Sequence, residues 1–441
     1  MIKIKLMGIL LFPVFCFNIF WPIPPVDMVH PIGNNWGEYQ NYGSGGYFHN
    51  GIDILTPDTS GVEVRAVASG WVKAWGTIQE ELHYRLAVCD SPLTYTSRAE
   101  GWLYAHIDPG KWHKNLGDRV EEGEVIGYLV AWPVDATFDH LHFARISDTG
   151  ATWQRFPSPT WWFIQNPLLV LQPNTDIEAP VFENARTGQR FAFCRDNRNN
   201  QYLNPDSLVG DVDIIARIFD RTGFTTGDTV WDRLAPYRIE YMIRRADGLV
   251  VVPWRLGVEF SNRLEGALVN VVYKRDNTCR SQGDYENRVY YYIITNTDGD
   301  SLIEATDTTG KWATGLIGDG EYWVIVRAAD VVGNTTTDSM LVRTRNGVNV
   351  DELPVMVFDR GFEVKPTLGP GERRVNFNLV CAADVNLRLI EPTGRTVRVF
   401  LNRWLNSGWH SIPIKVDNAG VYILELSAGQ HRYQQKLVFT K

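Results

Sequence analysis

Phe138-Asp139-His140-Leu141-His142-Phe143 is the stretch on which the fold turns, because from His140 to Phe143 its polar and apolar side chains alternate with a period of two. A strand sends successive side chains to opposite faces. His140 and His142 therefore share one face, and Leu141 points the other way, into a core. Two imidazoles one strand step apart can serve a single site. An isolated H-x-H arises readily by chance in a chain with nine histidines, so its weight depends on what accompanies it.

Two upstream segments accompany it. His49-Asn50-Gly51-Ile52-Asp53 sets an imidazole and a carboxylate four residues apart around a glycine, and neutral His with Asp is an acceptable ligand set for Zn²⁺. Leu103-Tyr104-Ala105-His106 reads as a strand whose terminal imidazole projects toward the same cleft as His140 and His142. Taken singly, His49 and His106 read more readily as structural or surface histidines than as metal or catalytic groups. Their joint order with the H-x-H pair sets them apart. His30, His83, His113, His410 and His431 have no comparable partners and are expected to make ordinary surface or hydrogen-bonding contacts.

The rest of the chain reads as nearly all β, with short Val/Ile/Tyr/Trp-rich runs between Gly, Asn, Asp and Pro turns and no long helical periodicity. At 441 residues it exceeds what one core usually organises. Turn-rich breaks at Gln172 to Asp176 and at Asn346 to Pro354 divide it into units of about 23–175, 176–350 and 351–441. Two segments of the first unit resemble each other: Val64 to Val72 and Gly117 to Gly127. With 44% hydrophobic and 12% aromatic residues the chain has material for packed cores and is not disordered. A formal net charge of -8, with no basic stripe, excludes a phosphate-neutralising nucleic-acid binder.

At the N-terminus, Lys3 and Lys5 precede a continuous apolar run, the order of a secretory signal peptide over residues 1–22. Export to the periplasm, cell surface or medium is the expectation, and no later segment approaches the roughly 18 apolar residues of a membrane span. Cys16, Cys89, Cys194, Cys279 and Cys381 form no C-x-x-C pair, so cysteine is not the metal ligand. Cys194 and Cys279 are the one pair within a single unit; a disulfide and two buried thiols are both open readings.

In combination, the three histidine segments resemble the lysostaphin/LytM-type zinc endopeptidases, whose H-x-(G)-x-D, Y-x-H and H-L-H-F signatures occur in this order. The resemblance spans roughly Pro31 to Leu171, including Gly33-Asn34-Asn35-Trp36-Gly37 and both similar segments. It implies a compact all-β fold of the duplicated-hybrid-motif type with an open groove. Carried over by position, it implies His49, Asp53 and His142 as zinc ligands, with the fourth tetrahedral place left for a water. It also implies His106 and His140 as the catalytic pair, suited to water activation and oxyanion stabilisation. Phe138-Asp139 before the last motif and Ala144-Arg145 after it depart from the family. Asp139 is read as orienting an imidazole, as binding a cationic substrate group, or as a solvated rim carboxylate. Trp36, Trp102, Trp132, Trp161 and Trp162 either line a groove or pack the core.

Residues 176–350 look like an immunoglobulin- or fibronectin-type β-sandwich, with Val212 to Ile218 and Gly320 to Arg327 as alternating strands. Asn296-Thr297-Asp298-Gly299-Asp300 reads as a tight turn in preference to a calcium loop. The last unit resembles type IX secretion sorting domains and flagellar-hook-cap-like modules, which implies outer-membrane secretion machinery as a partner. Lys365-Pro366-Thr367 replaces the usual Pro-Asn-Pro there, and a plain structural β-sandwich is the other reading. Neither downstream unit offers an active-site constellation, so both are expected to be dispensable for cutting soluble muropeptides. Three functions follow: a zinc endopeptidase acting on stem peptides or cross-bridges of peptidoglycan, a non-catalytic envelope protein that binds wall or regulates other hydrolases, or a surface adhesion protein in which the β-sandwich modules dominate. The complete set of five residues favours the first.

Overall fold

The computed structural model describes residues 18–440 except 44, 57–60, 77–83, 112, 133–137, 154–161, 223–229, 263, 348–357, 366–367, 370, 380–382, 406–407, 417 and 429–430. Most of the signal segment, His83, Trp161, Pro366-Thr367 and Cys381 therefore lie outside the described residues, as does most of the second proposed break, Asn346 to Pro354. The chain is nearly all β, as expected. Among the described residues no helix is long and apolar enough to cross a membrane.

The first unit holds strands β1 (Ile32–Asn34), β2 (Tyr39–Gln40), β3 (Tyr47–Phe48), β4 (Ile52–Leu55), β5 (Glu63–Arg65), β6 (Gly70–Gly76), β7 (Arg85–Cys89), β8 (Ala99–Ala105), β9 (Arg119–Val120), β10 (Val125–Tyr128), β11 (His140–Asp148) and β12 (Trp162–Gln165). The main sheet has eight strands in the order β1-β4-β11-β8-β7-β6-β9, with β12 beside β11. The two similar sequence segments pair with each other: β5 with β10, and β6 with β9. Strand β11 lies inside the sheet, antiparallel to β4 and β8 on its two sides. Its period of two buries Leu141 and Phe143 completely, and Phe143 stacks on Trp102 with ring centroids 5.1 Å apart. That packing fixes which face the two imidazoles occupy.

The second unit comprises β13 (Val181–Glu183), β14 (Phe191–Arg195), β15 (Asp211–Phe219), β16 (Arg238–Arg245), β17 (Val250–Glu259), β18 (Gln282–Gly283), β19 (Arg288–Val289), β20 (Tyr291–Ile293), β21 (Trp312–Ala313), β22 (Gly320–Ala329) and β23 (Thr335–Thr344). Its strands form a five-stranded sheet around β15 and a four-stranded sheet β17-β16-β22-β23. The two alternating runs noted in the sequence fall on β15 and β22. Strands β18 and β19 form a separate small hairpin.

Buried apolar residues from Ile19 to Val342 form one continuous cluster that runs through both units. Gly37 shows why they fit so closely. It has φ +80°, and a Cβ there would lie 2.4 Å from the Phe260 ring. Trp36 donates to the Asn262 carbonyl at 3.0 Å, and the Tyr273 hydroxyl donates to the Gly37 carbonyl at 2.8 Å. The third unit has its own cluster from Val364 to Phe439, between a three-stranded and a five-stranded sheet.

Several open readings resolve here. Cys194 and Cys279 are buried free thiols in one small cluster, with burial pushing them up to about 12 and about 11. Trp36 and Trp102 are core residues. Asp139 is no rim carboxylate: it is buried, and its Oδ1 accepts the Trp132 backbone N–H at 2.6 Å. The Asn296 to Asp300 stretch is a turn at Gly299, where φ is +99°.

Candidate metal centre and cleft

Antiparallel pairing of β4 with β11 sets Asp53 directly opposite His142. His49 enters from the segment just before β4. The three side chains converge: Asp53 Oδ1 lies 2.9 Å from His142 Nδ1 and 3.2 Å from His49 Nε2, and the two imidazole nitrogens are 3.0 Å apart. One donor atom from each falls within 4.8 Å of the others, the spread of a group able to hold a metal ion. Among the described residues this is the one such group of three or more His, Cys, Asp or Glu.

Hydrogen bonding and burial act on the three donors in different directions. His49 Nδ1 lies 3.1 Å from the Asn35 carbonyl, which can only accept, so this nitrogen carries the proton and Nε2 faces the cluster bare. Burial pushes the His142 imidazole down to about 4, keeping it neutral. Burial opposes the charged form of Asp53, but the facing His49 and His140 and the hydrogen bond from His142 hold its carboxyl well below the usual range. For His49, burial is outweighed by the Asp53 charge, and the imidazole is raised. Gly51 leaves the room: a Cβ there would sit 2.5 Å from His142 Cε1 and Nε2.

His140 and His106 line the same cleft without joining the cluster. His140 Nδ1 donates to the Phe138 carbonyl at 2.8 Å, which leaves Nε2 unprotonated in the neutral ring, 3.8 Å from Asp53 Oδ2. The His106 ring centroid is 4.5 Å from that of His140 and 6.2 Å from that of His142. His106 holds φ +68°, rare for a residue with a side chain. Its N–H donates to the Tyr84 carbonyl and its carbonyl accepts from Val130, which fix that turn at the end of β8. Trp132 packs edge-on against both rings at 4.8 Å. All five residues singled out in the sequence thus border one open cleft of about 530 Å³.

Other cleft residues were not foreseen. Tyr42 and Tyr47 lie in the Gly-rich stretch before His49, and Arg85 opens β7, its guanidinium brought down to about 9 by burial. Tyr285 and, behind the wall, Trp231 and Arg288 come from the second unit, so that unit does reach the site, against expectation. The available signal was Gly283-Asp284-Tyr285-Glu286-Asn287, a turn sequence carrying an aromatic at its tip.

Residues 47–152, roughly a quarter of the chain, match the model of the family described as Peptidase family M23. Solved structures similar to the chain include LytU, at 28% identity over 27% of this chain and 75% of that one, with a TM-score of 0.22. The catalytic domain of the prophage-encoded M23 protein EnpA from Enterococcus faecalis is 20% identical over 30% of this chain and 88% of its own, with a TM-score of 0.22. Lysostaphin from Staphylococcus simulans is 16% identical over 59% of this chain and 94% of its own, with a TM-score of 0.25. Among curated proteins, none matches the chain.

Proposed function

We propose that this chain is an exported zinc metalloendopeptidase that hydrolyses peptide bonds of peptidoglycan, in stem peptides or cross-bridges. The observation that carries the reading is the convergence of His49, Asp53 and His142 on one point, with His140 and His106 beside it in an open cleft. Two neutral imidazole nitrogens and one carboxylate oxygen are a ligand set for zinc that leaves an open position. Zinc held there supplies Lewis acidity toward water and the scissile carbonyl.

The remaining work falls to the chain's own side chains. The His140 imidazole, with its proton anchored on Nδ1 by the Phe138 carbonyl, presents Nε2 to accept a proton from the attacking water. His106, on the other side of the pair, donates toward the oxygen that gains charge in the tetrahedral state. Trp132 holds both rings and keeps bulk water from their edges. The open cleft suits an extended peptide more than a small molecule. Secretion through an N-terminal signal, and sorting through the third unit by outer-membrane machinery, belong to the same proposal.

The test is elemental analysis of the purified chain together with digestion of purified peptidoglycan. One zinc per chain is expected, lost in His49→Ala, Asp53→Ala and His142→Ala, with new amino termini released from the wall by the wild type. Zinc-free wild-type protein overturns the metal assignment. Zinc-loaded protein that binds wall and releases no amino termini replaces the enzyme with the non-catalytic alternative.

A further inference from the structure

We propose that the second unit is a working part of this site: Arg288 is a positioning residue that fixes Asp53 through Asn34, and Tyr285 on the same hairpin contacts the peptide substrate. The inference rests on the metallopeptidase reading for its substrate, and on geometry alone for the link to Asp53.

Arg288 opens β19 and is almost wholly buried at the junction, with its guanidinium over the Trp231 ring at 4.1 Å. It faces the buried Glu38 carboxylate at 3.2 Å and donates to the Gly33 carbonyl. It also donates to Asn34 Oδ1 at 2.7 Å, and Asn34 Nδ2 in turn donates to Asp53 Oδ2 at 2.5 Å. A carboxamide has one accepting and one donating end. With its oxygen claimed by Arg288, Asn34 must turn its NH₂ toward Asp53. Without Arg288 the Asp53 carboxylate alone orients this amide, which is then held at one end instead of two. The chain Arg288–Asn34–Asp53 thus occupies Oδ2 and leaves Oδ1 facing His49 and His142. It selects which carboxylate oxygen serves the metal, and it does so from the second unit.

The hairpin that carries Arg288 is set against the first unit at a fixed distance. A Cβ on Gly283 would lie 1.8 Å from the Tyr39 carbonyl oxygen, so only glycine permits this approach. Asn41 N–H donates to the Gly283 carbonyl at 3.1 Å, and Gly283 N–H donates to Asn41 Oδ1 at 2.7 Å. The tip is rigid, since Asp284 Oδ1 accepts from the N–H groups of Glu286 and Asn287. Tyr285 is therefore pre-placed. Its ring stands 4.6 Å from Tyr42 and 6.1 Å from Trp231, and Trp231 leads through Phe138 at 4.2 Å to His140 at 4.7 Å. Nearly half exposed on the cleft wall, Tyr285 is the outer end of an aromatic row that ends at a catalytic imidazole. A peptide lying in the cleft has this ring to pack on.

The experiment uses the full chain and four variants: Asn34→Ala, Arg288→Lys, Tyr285→Ala and Tyr285→Phe. Zinc affinity is measured by competition with a chromophoric chelator, and muropeptide binding by calorimetry alongside KM and kcat. Asn34→Ala and Arg288→Lys are expected to weaken zinc by about tenfold or more, the usual cost of losing a group that orients a ligand. Arg288→Lys keeps the charge beside Glu38 but loses the forked donor that serves Gly33 and Asn34 together; Asn34→Ala breaks the link while Arg288 keeps its Glu38 and Gly33 partners. Tyr285→Ala should leave zinc affinity and kcat unchanged and raise KM and the muropeptide dissociation constant about two- to tenfold, as loss of one stacking contact does. Tyr285→Phe should behave as wild type. Wild-type zinc affinity in both Asn34→Ala and Arg288→Lys overturns the positioning role, and unchanged muropeptide binding in Tyr285→Ala overturns the contact. If the wild type cuts nothing, the hydrolase reading fails, while zinc affinity still decides the role of Arg288 and muropeptide binding that of Tyr285.

Discussion

At Gly51 a single added carbon would reach the centre of the cleft, 2.5 Å from the His142 ring, although the backbone there needs no unusual φ. Gly51→Ala should therefore leave the fold intact and displace His142, weakening zinc by about tenfold or more. Chelator competition with a parallel thermal melt checks this; unchanged affinity would mean the ring shifts without consequence. His106→Ala and His140→Ala should behave in the opposite way, keeping zinc and losing about a hundredfold or more in rate, since neither ring joins the metal cluster. Their rings are neighbours at 4.5 Å, so the double variant should be little slower than either single one. Single-turnover rates at matched zinc content decide between this and simple additivity. Loss of zinc in His140→Ala with retention in His142→Ala would reverse the two roles.

At the scale of elements, β11 carries the site because it is packed between β4 and β8 and buried along most of its length. Ile146, four residues along the strand from His142, is fully buried, and Ile146→Ala should cost about 2–5 kcal/mol. Zinc stoichiometry should survive below the lowered melting temperature, because β4 and β8 still flank His142. Zinc lost well below that temperature would show that the far end of the strand sets the ligand geometry. The same periodicity explains what could be read in advance. His140, His142 and His106 were legible because strand alternation and strand ends say where a side chain points, and Asp53 because it stands four residues from His49 around Gly51 in a segment that resembles the family motif. The β class was legible from turn residues and Val/Ile/Tyr-rich runs. Tyr285 and Arg288 were not, because they lie about 140 residues beyond His142 on a two-residue-strand hairpin, and no local pattern says that such a hairpin docks on β1 and β2. Asp139 misled for a related reason: its composition marks an exposed carboxylate, and only the neighbouring Trp132 amide accounts for its burial.

At the scale of the whole molecule, the junction of the first two units carries a charge problem that pH should expose. Asp220, Asp330 and Asp176 face one another there across a narrow gap also bordered by His30, with Glu178 nearby. Asp220 is buried, its Oδ1 has no hydrogen-bond partner among the described residues, and burial followed by the Asp330 charge raises its carboxyl well above the usual range. Burial likewise brings Asp176 up to about 6. A carboxyl raised in the folded state holds its proton more tightly folded than unfolded. Its contribution to stability is therefore fully present below the unfolded value near 4 and is lost as pH rises from there through the folded value, which is about 6 for Asp176. His49, also raised, acts in the same direction, so the wild-type profile alone does not isolate the junction. Asp220→Asn does, since it keeps the shape and removes the titration. The variant should melt several degrees higher than wild type at pH 8 and show a smaller advantage at pH 5, nearer the unfolded carboxyl value. Thermal melts of both chains from pH 5 to 8, at constant ionic strength and zinc, provide the check. A gap between the two melting temperatures that does not widen with pH would mean that the junction carries no buried proton.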